Sequence, residues 1–549
     1  MHVIFLTGIP DHWCYVPEIA HSNLSLETQK TLISPPSDPH CSMYDVNYTN
    51  ILLLHDSYFD SSTPTKPCDR GWYYEKSEFD ETAVTAWDLV CKDDHYVAVI
   101  LSTTFIGTFI GAQFFSSVAN KIGRKQTFAL TAFIIALSDV GSSLSSNFTL
   151  VVLLRILQGT AVSTIYSTPY SLLLELVRPD LRTWMNEIST ISWTAGLCLI
   201  PMFAWLTRSW VILSAVNSVC AAALFVCGRY IPESPLWLIS QGRYEKATDI
   251  LKKISEFNGK TAHEEDAQLL EKIQQFGREY QRNMAEQKEV SIRDFLRMQD
   301  LGKDVSSLRY AGKLLNSVPY FGLQMNTRYL KDDKFINFFL ASIVEVPAHF
   351  ATWYSIAHYG RRVCLLTAFI TAAVSGLLPY AFASYKIVHV IATFIGKGCT
   401  SSAYITLYVQ GPELFPLFLR AAGIGLCCTV GSIGGIIAPY AVYTYKYADY
   451  APFLIFSGIM TLATVCASCL PETSHKKLPI TVADAENFQR NWKFFNCPGC
   501  PVMDAEPLRS EVLLSFEEAE VRREQDLDPE RNWSTLFPSK SDTVLFRKK

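Results

Sequence analysis

Asp139, Arg155, Glu175, Glu345, His349 and Lys397 all sit in or at the ends of long hydrophobic stretches, where an ionisable side chain is an exception that demands a role. Charge in such a setting is costly, so it faces a cavity or a partner rather than lipid. Lys397 is suited either to neutralise an anionic group on a ligand or to pair with an acidic neighbour, and Glu345, in Ile343-Val344-Glu345-Val346-Pro347, is expected to stabilise the fold by pairing. Asp139 lies nearer the end of its stretch and is expected to be solvated. Tyr166 and Tyr170 are four residues apart and share one helix face. A quaternary or protonated amine against such a ring gains about 0.5–2 kcal/mol, although ordinary packing of a tyrosine is the plainer reading of each ring alone. Together these residue types suit non-covalent recognition of a small organic ion.

Covalent chemistry is poorly represented. Gly396-Lys397-Gly398 lacks the upstream glycine and the following serine or threonine of a phosphate-binding loop, and it lies in an apolar run. Cys497-Pro498-Gly499-Cys500 is a single pair without the second pair that a structural zinc site needs. No catalytic constellation, cofactor or metal site is expected. The formal charge of −4 and the lack of a basic tail give no reason to expect nucleic acid as a partner.

The elements that hold these residues are membrane spans. With 49% hydrophobic and 18% charged residues over 549 positions, and a mean hydropathy of +0.14, the chain is too apolar for an ordinary soluble protein, and lipid is its expected surrounding. Apolar stretches near the twenty residues needed to cross a bilayer occur at about 96–118, 126–146, 148–177, 187–206 and 209–230, and again at 335–357, 363–384, 386–410, 418–445 and 449–470. Residues 305–326 hold the place of a further span but are interrupted by Arg309, Lys313 and Pro319, so this helix is expected to be short, displaced or stabilised only by neighbours. Before Pro10 there are only His2 to Ile9, about 12 Å of helix, the remnant of a first span.

Between that remnant and the first clear span lies a polar loop with Cys14, Cys41, Cys68 and Cys91 and the sequons at Asn23 and Asn47. An even number of cysteines among glycosylation acceptors suggests two disulfides outside the cell, with three pairings possible. The other eleven of the fifteen cysteines lie mostly in apolar runs and act as small hydrophobes. Of the remaining sequons, Asn147 lies close to the bilayer and Asn532 in the tail. Basic turns at Lys121, Arg124, Lys125 and at Arg361, Arg362 are expected to face the cytoplasm under the positive-inside rule. The organisation expected is thus a span remnant (1–9), an extracellular cysteine loop (10–94), an N-terminal helical bundle (95–230), a cytoplasmic loop (231–304), a C-terminal helical bundle (305–470) and a cytoplasmic tail (471–549).

The halves repeat each other. Asn120-Lys121-Ile122-Gly123-Arg124-Lys125 and Ala357-His358-Tyr359-Gly360-Arg361-Arg362 occupy matching turns, as in transporters built of two repeats around a central site. Further motifs follow in order: Pro10-Asp11-His12-Trp13-Cys14, Trp87-Asp88-Leu89-Val90-Cys91, Arg155-Ile156-Leu157-Gln158-Gly159, Pro232-Glu233-Ser234-Pro235, Asn337-Phe338-Phe339-Leu340, Pro412-Glu413-Leu414-Phe415-Pro416 and Leu470-Pro471-Glu472-Thr473. By these motifs, from about residue 7 to 487, the chain resembles the organic cation, organic anion and carnitine transporters (solute carrier family 22) of the major facilitator superfamily.

The resemblance implies an all-α polytopic fold of about 11–12 spans in two bundles around a central cavity, with the first span truncated and the seventh degraded. It implies a plasma-membrane glycoprotein that moves a small organic cation, carnitine-like zwitterion or organic anion by alternating access. Gln158, Tyr166, Tyr170, Tyr320, Phe321, Lys397, Tyr404 and Ser432 become the substrate-binding candidates, and Arg124, Lys125, Arg361 and Arg362 the gating residues. Arg155 and Glu175 match positions taken as structural and near the cytoplasmic side. Where cation carriers tend to have aspartate and anion or carnitine carriers arginine, this chain has Ser432, so the resemblance does not name the sign of the substrate. Other departures are Asn120 and Ala357, where the family's turns usually carry an acid that latches the cytoplasmic gate, and Leu236 in place of arginine. They admit an alternative, a transport-inactive or incomplete member acting as a membrane binding protein.

Overall fold

Both basic turns hinge on a glycine that only glycine tolerates well: Gly123 has φ 98° and Gly360 has φ 87°. Each ends one long helix and begins the next, and the two mark equivalent points of the repeated halves. A computed structural model of the chain describes residues 2–22, 24–49, 63–177, 182–258, 266–288, 303–330, 333–414, 420–470 and 472–473. Asn23, the Cys497/Cys500 pair and Asn532 lie outside the described residues.

Residues before the first long helix form α1 (Val3–Leu6), β1 (His12–Cys14), α2 (Pro17–Ala20), α3 (Leu26–Ile33), β2 (Ser42–Tyr44), β3 (Thr65–Pro67), β4 (Trp72–Tyr74) and α4 (Ala83–Ala86). β1 pairs antiparallel with β4 in the register Trp13 opposite Tyr73, and β2 pairs antiparallel with β3 in the register Met43 opposite Lys66. Trp13, Val16, Ile19, Ile33, Met43 and Tyr48 form the small core of this loop. A core of that size needs covalent staples. The expected disulfides supply them as Cys14–Cys68 and Cys41–Cys91.

The N-terminal half consists of α5 (His95–Ile122), α6 (Arg124–Leu144), α7 (Phe148–Leu176), α8 (Arg182–Thr207) and α9 (Trp210–Cys227). Then come α10 (Pro235–Ser240), α11 (Tyr244–Phe257) and α12 (Asp266–Lys288), with a core of Trp237, Leu238, Ala247 and Ile273. The C-terminal half consists of α13 (Lys303–Asn326), α14 (Lys334–Ile343), α15 (Glu345–Tyr359), α16 (Arg361–Ala381), α17 (Lys386–Leu414), α18 (Arg420–Tyr443) and α19 (Ala451–Ser468). Among the described residues nine helical segments are long and apolar enough to cross a membrane. In lipid a helix satisfies all its own backbone groups, which is why apolar runs of this length adopt it.

Three details depart from the expected spans. The stretch expected as a span at 386–410 is the 29-residue helix α17, which lies outside the nine apolar segments. The stretch 335–357 is divided into α14 and α15 at Val344, because Pro347 has no N–H to offer the carbonyl four residues earlier, that of Ile343. The polar stretch 305–326 is a full helix of 24 residues, α13, outside the nine apolar segments. It is stabilised by its neighbours: Lys313, Asn316, Ser317, Tyr320 and Gln324 recur at helical spacing and are all buried.

Close approach of helices is set by small residues. A Cβ on Gly107, Gly111 or Gly159 would run into the backbone of the opposite helix where α5 crosses α7, and one on Gly434 would meet the backbone of α13. Contacts between the halves run from the cysteine-loop end towards mid-span. Phe5 stacks on Phe335 at 5.5 Å and lies 4.9 Å from Phe338, Lys446 pairs with Asp94 at 2.5 Å, and Ser102 donates to the Ile436 carbonyl at 3.0 Å. Deeper along α5, Gln113 donates to Thr429 at 2.8 Å.

Candidate functional site

A cluster of rings bridges the two halves. On α7, Tyr166 stacks with Tyr170 at 6.4 Å and meets Trp193 of α8 edge-on at 5.8 Å. The Trp193 indole N–H donates to the Tyr320 hydroxyl of α13 at 3.2 Å. Tyr320 stacks on Tyr404 of α17 at 5.0 Å, Tyr404 lies 5.3 Å from Tyr408, and Phe321 packs against Phe105 of α5 at 4.7 Å. Five candidates, Tyr166, Tyr170, Tyr320, Phe321 and Tyr404, therefore belong to one assembly. Tyr166 is 43% exposed and Trp193 38%, so the ring surface is open on the N-terminal side.

Two lysines lie within this assembly. Lys397 is fully buried and forms an ion pair with the equally buried Glu345, Nζ to Oε1 at 2.8 Å. Its ammonium also lies 3.5 Å from the Tyr320 ring centroid and donates to the Tyr320 carbonyl at 3.2 Å. Lys397 thus has the acidic neighbour that its sequence position allowed. The other carboxylate oxygen of Glu345 accepts from Thr194 of α8 at 3.2 Å, so the pair reaches across to the N-terminal half. His349 bonds Ser401 at 2.8 Å beside it. Lys313 of α13 lies 3.1 Å from the Tyr404 ring centroid and 4.1 Å from that of Tyr408. In the C-terminal half, the ring faces suited to a foreign cation already carry the protein's own ammonium groups.

Ser432 is 7% exposed and donates back to the Cys428 carbonyl one turn earlier at 3.1 Å. Cys428 in turn touches the Tyr408 hydroxyl at 3.2 Å, which ties the Ser432 turn to the ring bearing Lys313. Gln158 belongs to a different network. Its amide donates to both oxygens of Asp139 at 2.8 and 2.9 Å, while Arg155 donates to Asp139 at 2.9 Å, to Gln158 at 2.9 Å, to Ser214 at 3.0 Å and to His2 at 3.1 Å. Asn217 adds a further donor to Asp139.

This network corrects two expectations. Asp139 is not solvated but 0% exposed, because Arg155, Gln158 and Asn217 replace water around it. Arg155 is not near the basic turns. It lies in the first third of α7, whose Asn147 end adjoins the cysteine loop, where Trp87 donates to the Ser146 carbonyl.

The gating candidates form two equivalent clips. Glu233 accepts the backbone N–H groups of Arg124 and Lys125 at 2.8 and 3.2 Å, and Glu472 accepts those of Arg361 and Arg362 at 2.9 Å each. A carboxylate at a helix N-terminus satisfies unpaired donors and the helix dipole together. Arg124 pairs with Glu175 at 3.2 Å, Lys125 donates to the Arg229 carbonyl at 2.7 Å, and Arg362 to that of Ser468 at 2.6 Å. Glu233 and Glu472 come from the repeated Pro-Glu-Ser and Pro-Glu-Thr motifs, so the duplication visible in the sequence is a duplicated hydrogen-bond pattern.

In the cysteine loop, Asn47 is exposed, as an acceptor site needs, with its side chain taking the Thr49 N–H at 3.2 Å. His12 is buried against His40 at 4.9 Å and donates to the Pro10 carbonyl at 3.1 Å, and burial pushes its imidazole below the ordinary value. No cluster of metal-ligating side chains occurs among the described residues. Sequence reasoning passed over Lys313, Trp193, Thr194 and Tyr408. The signal for two of them was present: Lys397, Ser401, Tyr404 and Tyr408 follow the helical period on α17, and Lys313 and Tyr320 follow it on α13.

The profile of the sugar (and other) transporter family matches residues 42–481. The chain is 27% identical over 515 residues to the carcinine transporter of Drosophila melanogaster, covering 90% of this chain and 75% of that protein. It is 28% identical over 498 residues to organic cation/carnitine transporter 2 of Rattus norvegicus, covering 88% and 87%. Among solved structures, the inward-open xylose transporter XylE of E. coli aligns with a TM-score of 0.55 at 17% identity, over 72% of this chain and 89% of that one. At that identity the likeness establishes the fold.

Proposed function

Because this chain belongs to the sugar (and other) transporter family of the major facilitator superfamily, and within it to the organic cation, organic anion and carnitine transporters, we propose that it carries small organic ions across the plasma membrane by alternating access. The chain is a multi-pass membrane transporter and not an enzyme. The finer reading rests above all on one observation: the fully buried Lys397–Glu345 pair, with its hydrogen bond to Thr194, lies among rings contributed by both halves. A buried ion pair at the boundary between two bundles is a poor stabiliser of a static fold and a fitting element of a substrate site. Gln158 and Ser432 belong to the outer rim of this reading, and Arg124, Lys125, Arg361 and Arg362 to the gate.

In this reading the cysteine loop with Asn23 and Asn47 is extracellular and glycosylated. The stretch 231–304, the basic turns and the tail from 471 are cytoplasmic. The carcinine and carnitine carriers among the relatives point to a substrate with a charged nitrogen, a carboxylate, or both. Uptake of radiolabelled carnitine, p-aminohippurate and tetraethylammonium into cells expressing the chain is the test. At least one should accumulate above the level of cells expressing the Lys397→Met variant at equal surface abundance. Equal, background uptake of all three would favour a membrane binding protein instead.

A further inference from the structure

The two clips repeat each other in backbone pattern but not in charge. Arg229-Tyr230-Ile231-Pro232-Glu233 of the N-terminal half stands where the C-terminal half has Ser468-Cys469-Leu470-Pro471-Glu472. The equivalence is structural, because Lys125 Nζ donates to the Arg229 carbonyl at 2.7 Å as Arg362 donates to that of Ser468 at 2.6 Å. In the C-terminal clip Arg362 is only 8% exposed and its neighbours are a serine and a cysteine. The N-terminal clip is open. Arg229 is exposed, Tyr230 is 86% exposed, and Lys125, half-buried, has N–H bonds to offer beyond the one given to the Arg229 carbonyl. The carboxylates of this turn are taken, Glu175 by Arg124 and Ser234, and Glu233 by backbone N–H groups. Among the described residues neither Lys125 nor Arg229 is paired with an acid.

Beside these cations runs an apolar wall. A Cβ on Gly228 would lie 3.2 Å from the Phe128 ring, and Phe133 packs on Phe225 at 6.0 Å, so the end of α9 lies along the start of α6. Leu130, Phe133, Leu224 and Val226 are all exposed on these two helices. Cations at the end of an exposed apolar face, with a tyrosine at the boundary, match the two parts of a phospholipid, a charged head and acyl chains behind it. From this geometry we propose that Lys125 and Arg229 bind the headgroup phosphate of an anionic phospholipid whose acyl chains lie along α6 and α9, and that the C-terminal clip has no such site. The placement rests on the transporter reading, in which the basic turns face the inner leaflet, but the binding can be measured without flux. Free phosphate offers the same charge and gains nothing from the apolar wall. In a zwitterionic lipid the headgroup ammonium is repelled by the same two cations.

The test uses the full chain purified in detergent, mixed with dioleoylphosphatidylserine or dioleoylphosphatidylcholine at equal concentration, with the lipids retained measured by native mass spectrometry. Wild type should retain phosphatidylserine in preference to phosphatidylcholine. Arg229→Gln and Lys125→Gln should each reduce that preference about fivefold, the contribution of one basic side chain near an anionic membrane surface. Arg229→Lys should keep it, and so should Lys386→Gln, which removes an exposed charge at the start of α17, the end remote from the clips. Inorganic phosphate at the same concentration should not displace the lipid. Should Lys125→Gln fold poorly, Arg229→Gln carries the test alone, because its side chain is exposed and only its carbonyl meets Lys125. The proposal is overturned if the two lipids are retained equally, if inorganic phosphate displaces phosphatidylserine, or if Arg229→Gln keeps the wild-type preference. A lipid preference that depends on Arg229, found without uptake of any solute, would refute transport and leave the lipid site standing; uptake without that preference would do the reverse.

Discussion

Removing one member of the Glu345–Lys397 pair should destabilise the protein far more than removing both. Each side chain is 0% exposed and the charged atoms are 2.8 Å apart. In Glu345→Gln the ammonium of Lys397 keeps the Tyr320 carbonyl and ring but loses its counter-charge, and in Lys397→Met the carboxylate keeps neutral hydroxyl donors such as Thr194 but loses its counter-charge. Stranding one buried charge costs about 3–5 kcal/mol, whereas replacing a whole buried pair by neutral groups of like volume is often neutral or favourable. For a chain of this length roughly 1–2 °C of unfolding midpoint is lost per kcal/mol, by scaling from smaller domains. Each single variant should therefore unfold about 3–10 °C lower in detergent, and the double variant Glu345→Gln/Lys397→Met should recover most of that. Thermal unfolding followed by fluorescence on matched preparations measures it, with surface abundance as a second readout. Additive losses, with the double variant falling by the sum of the singles, would refute the coupling and with it the reading of this pair as one unit.

Three further outcomes follow from the geometry. Asp139→Ala should strand Arg155 and lower folded yield by a penalty of similar size, about 3–5 kcal/mol, while Asp139→Asn, which keeps the acceptor geometry, should lose less; yield and midpoint in detergent report it. Cys14→Ser should release Cys68 alone and Cys41→Ser should release Cys91 alone, each at about 2–5 kcal/mol of loop stability, and thiol labelling with non-reducing peptide mapping would expose any other pairing. Because burial lowers the His12 imidazole from 6.5, its neutral form is the one the fold accepts: the unfolded loop binds the extra proton first, so stability present above that value declines as pH falls past it. Loss of loop protection in hydrogen exchange between pH 7 and 5 should be smaller in His12→Gln than in wild type.

Much of the architecture was legible because hydropathy and length act locally. A run such as 96–118 must be helical in lipid whatever surrounds it, and the paired turns at Gly123 and Gly360 announce the repeat without reference to distant contacts. What escaped was set by partners far along the chain. Asp139 looked solvated because its position near a span end is visible while Arg155, sixteen residues away on the next helix, is not. Four loop cysteines show that disulfides form but not that Cys14 joins Cys68, since that depends on how β1 meets β4. Lys313 counted as a defect in 305–326 because a hydropathy sum registers charge without asking which face carries it. The stripe Lys313, Asn316, Ser317, Tyr320, Gln324 is buried against the other helices, where polar groups find partners rather than lipid.

The two buried ion pairs play unequal parts, and the difference follows from where their hydrogen bonds end. Asp139 and Arg155 are bonded to Gln158, Ser214, Asn217 and His2, all N-terminal to α10, so rotation of one half against the other leaves their pairing intact. Glu345 is paired within its own half but bonded to Thr194 in the other. Breaking that one hydrogen bond to a carboxylate costs on the order of 1.5–3 kcal/mol before water or a substrate replaces the donor. A contact of this size is strong enough to bias one arrangement of the halves and weak enough to be exchanged within a transport cycle, whereas separating Asp139 from Arg155 would strand two charges. Rearrangement of the halves should therefore disturb the Glu345–Thr194 hydrogen bond while leaving the Asp139–Arg155 pair intact, and a ligand that competes for Lys397 should weaken one of the several contacts between the halves.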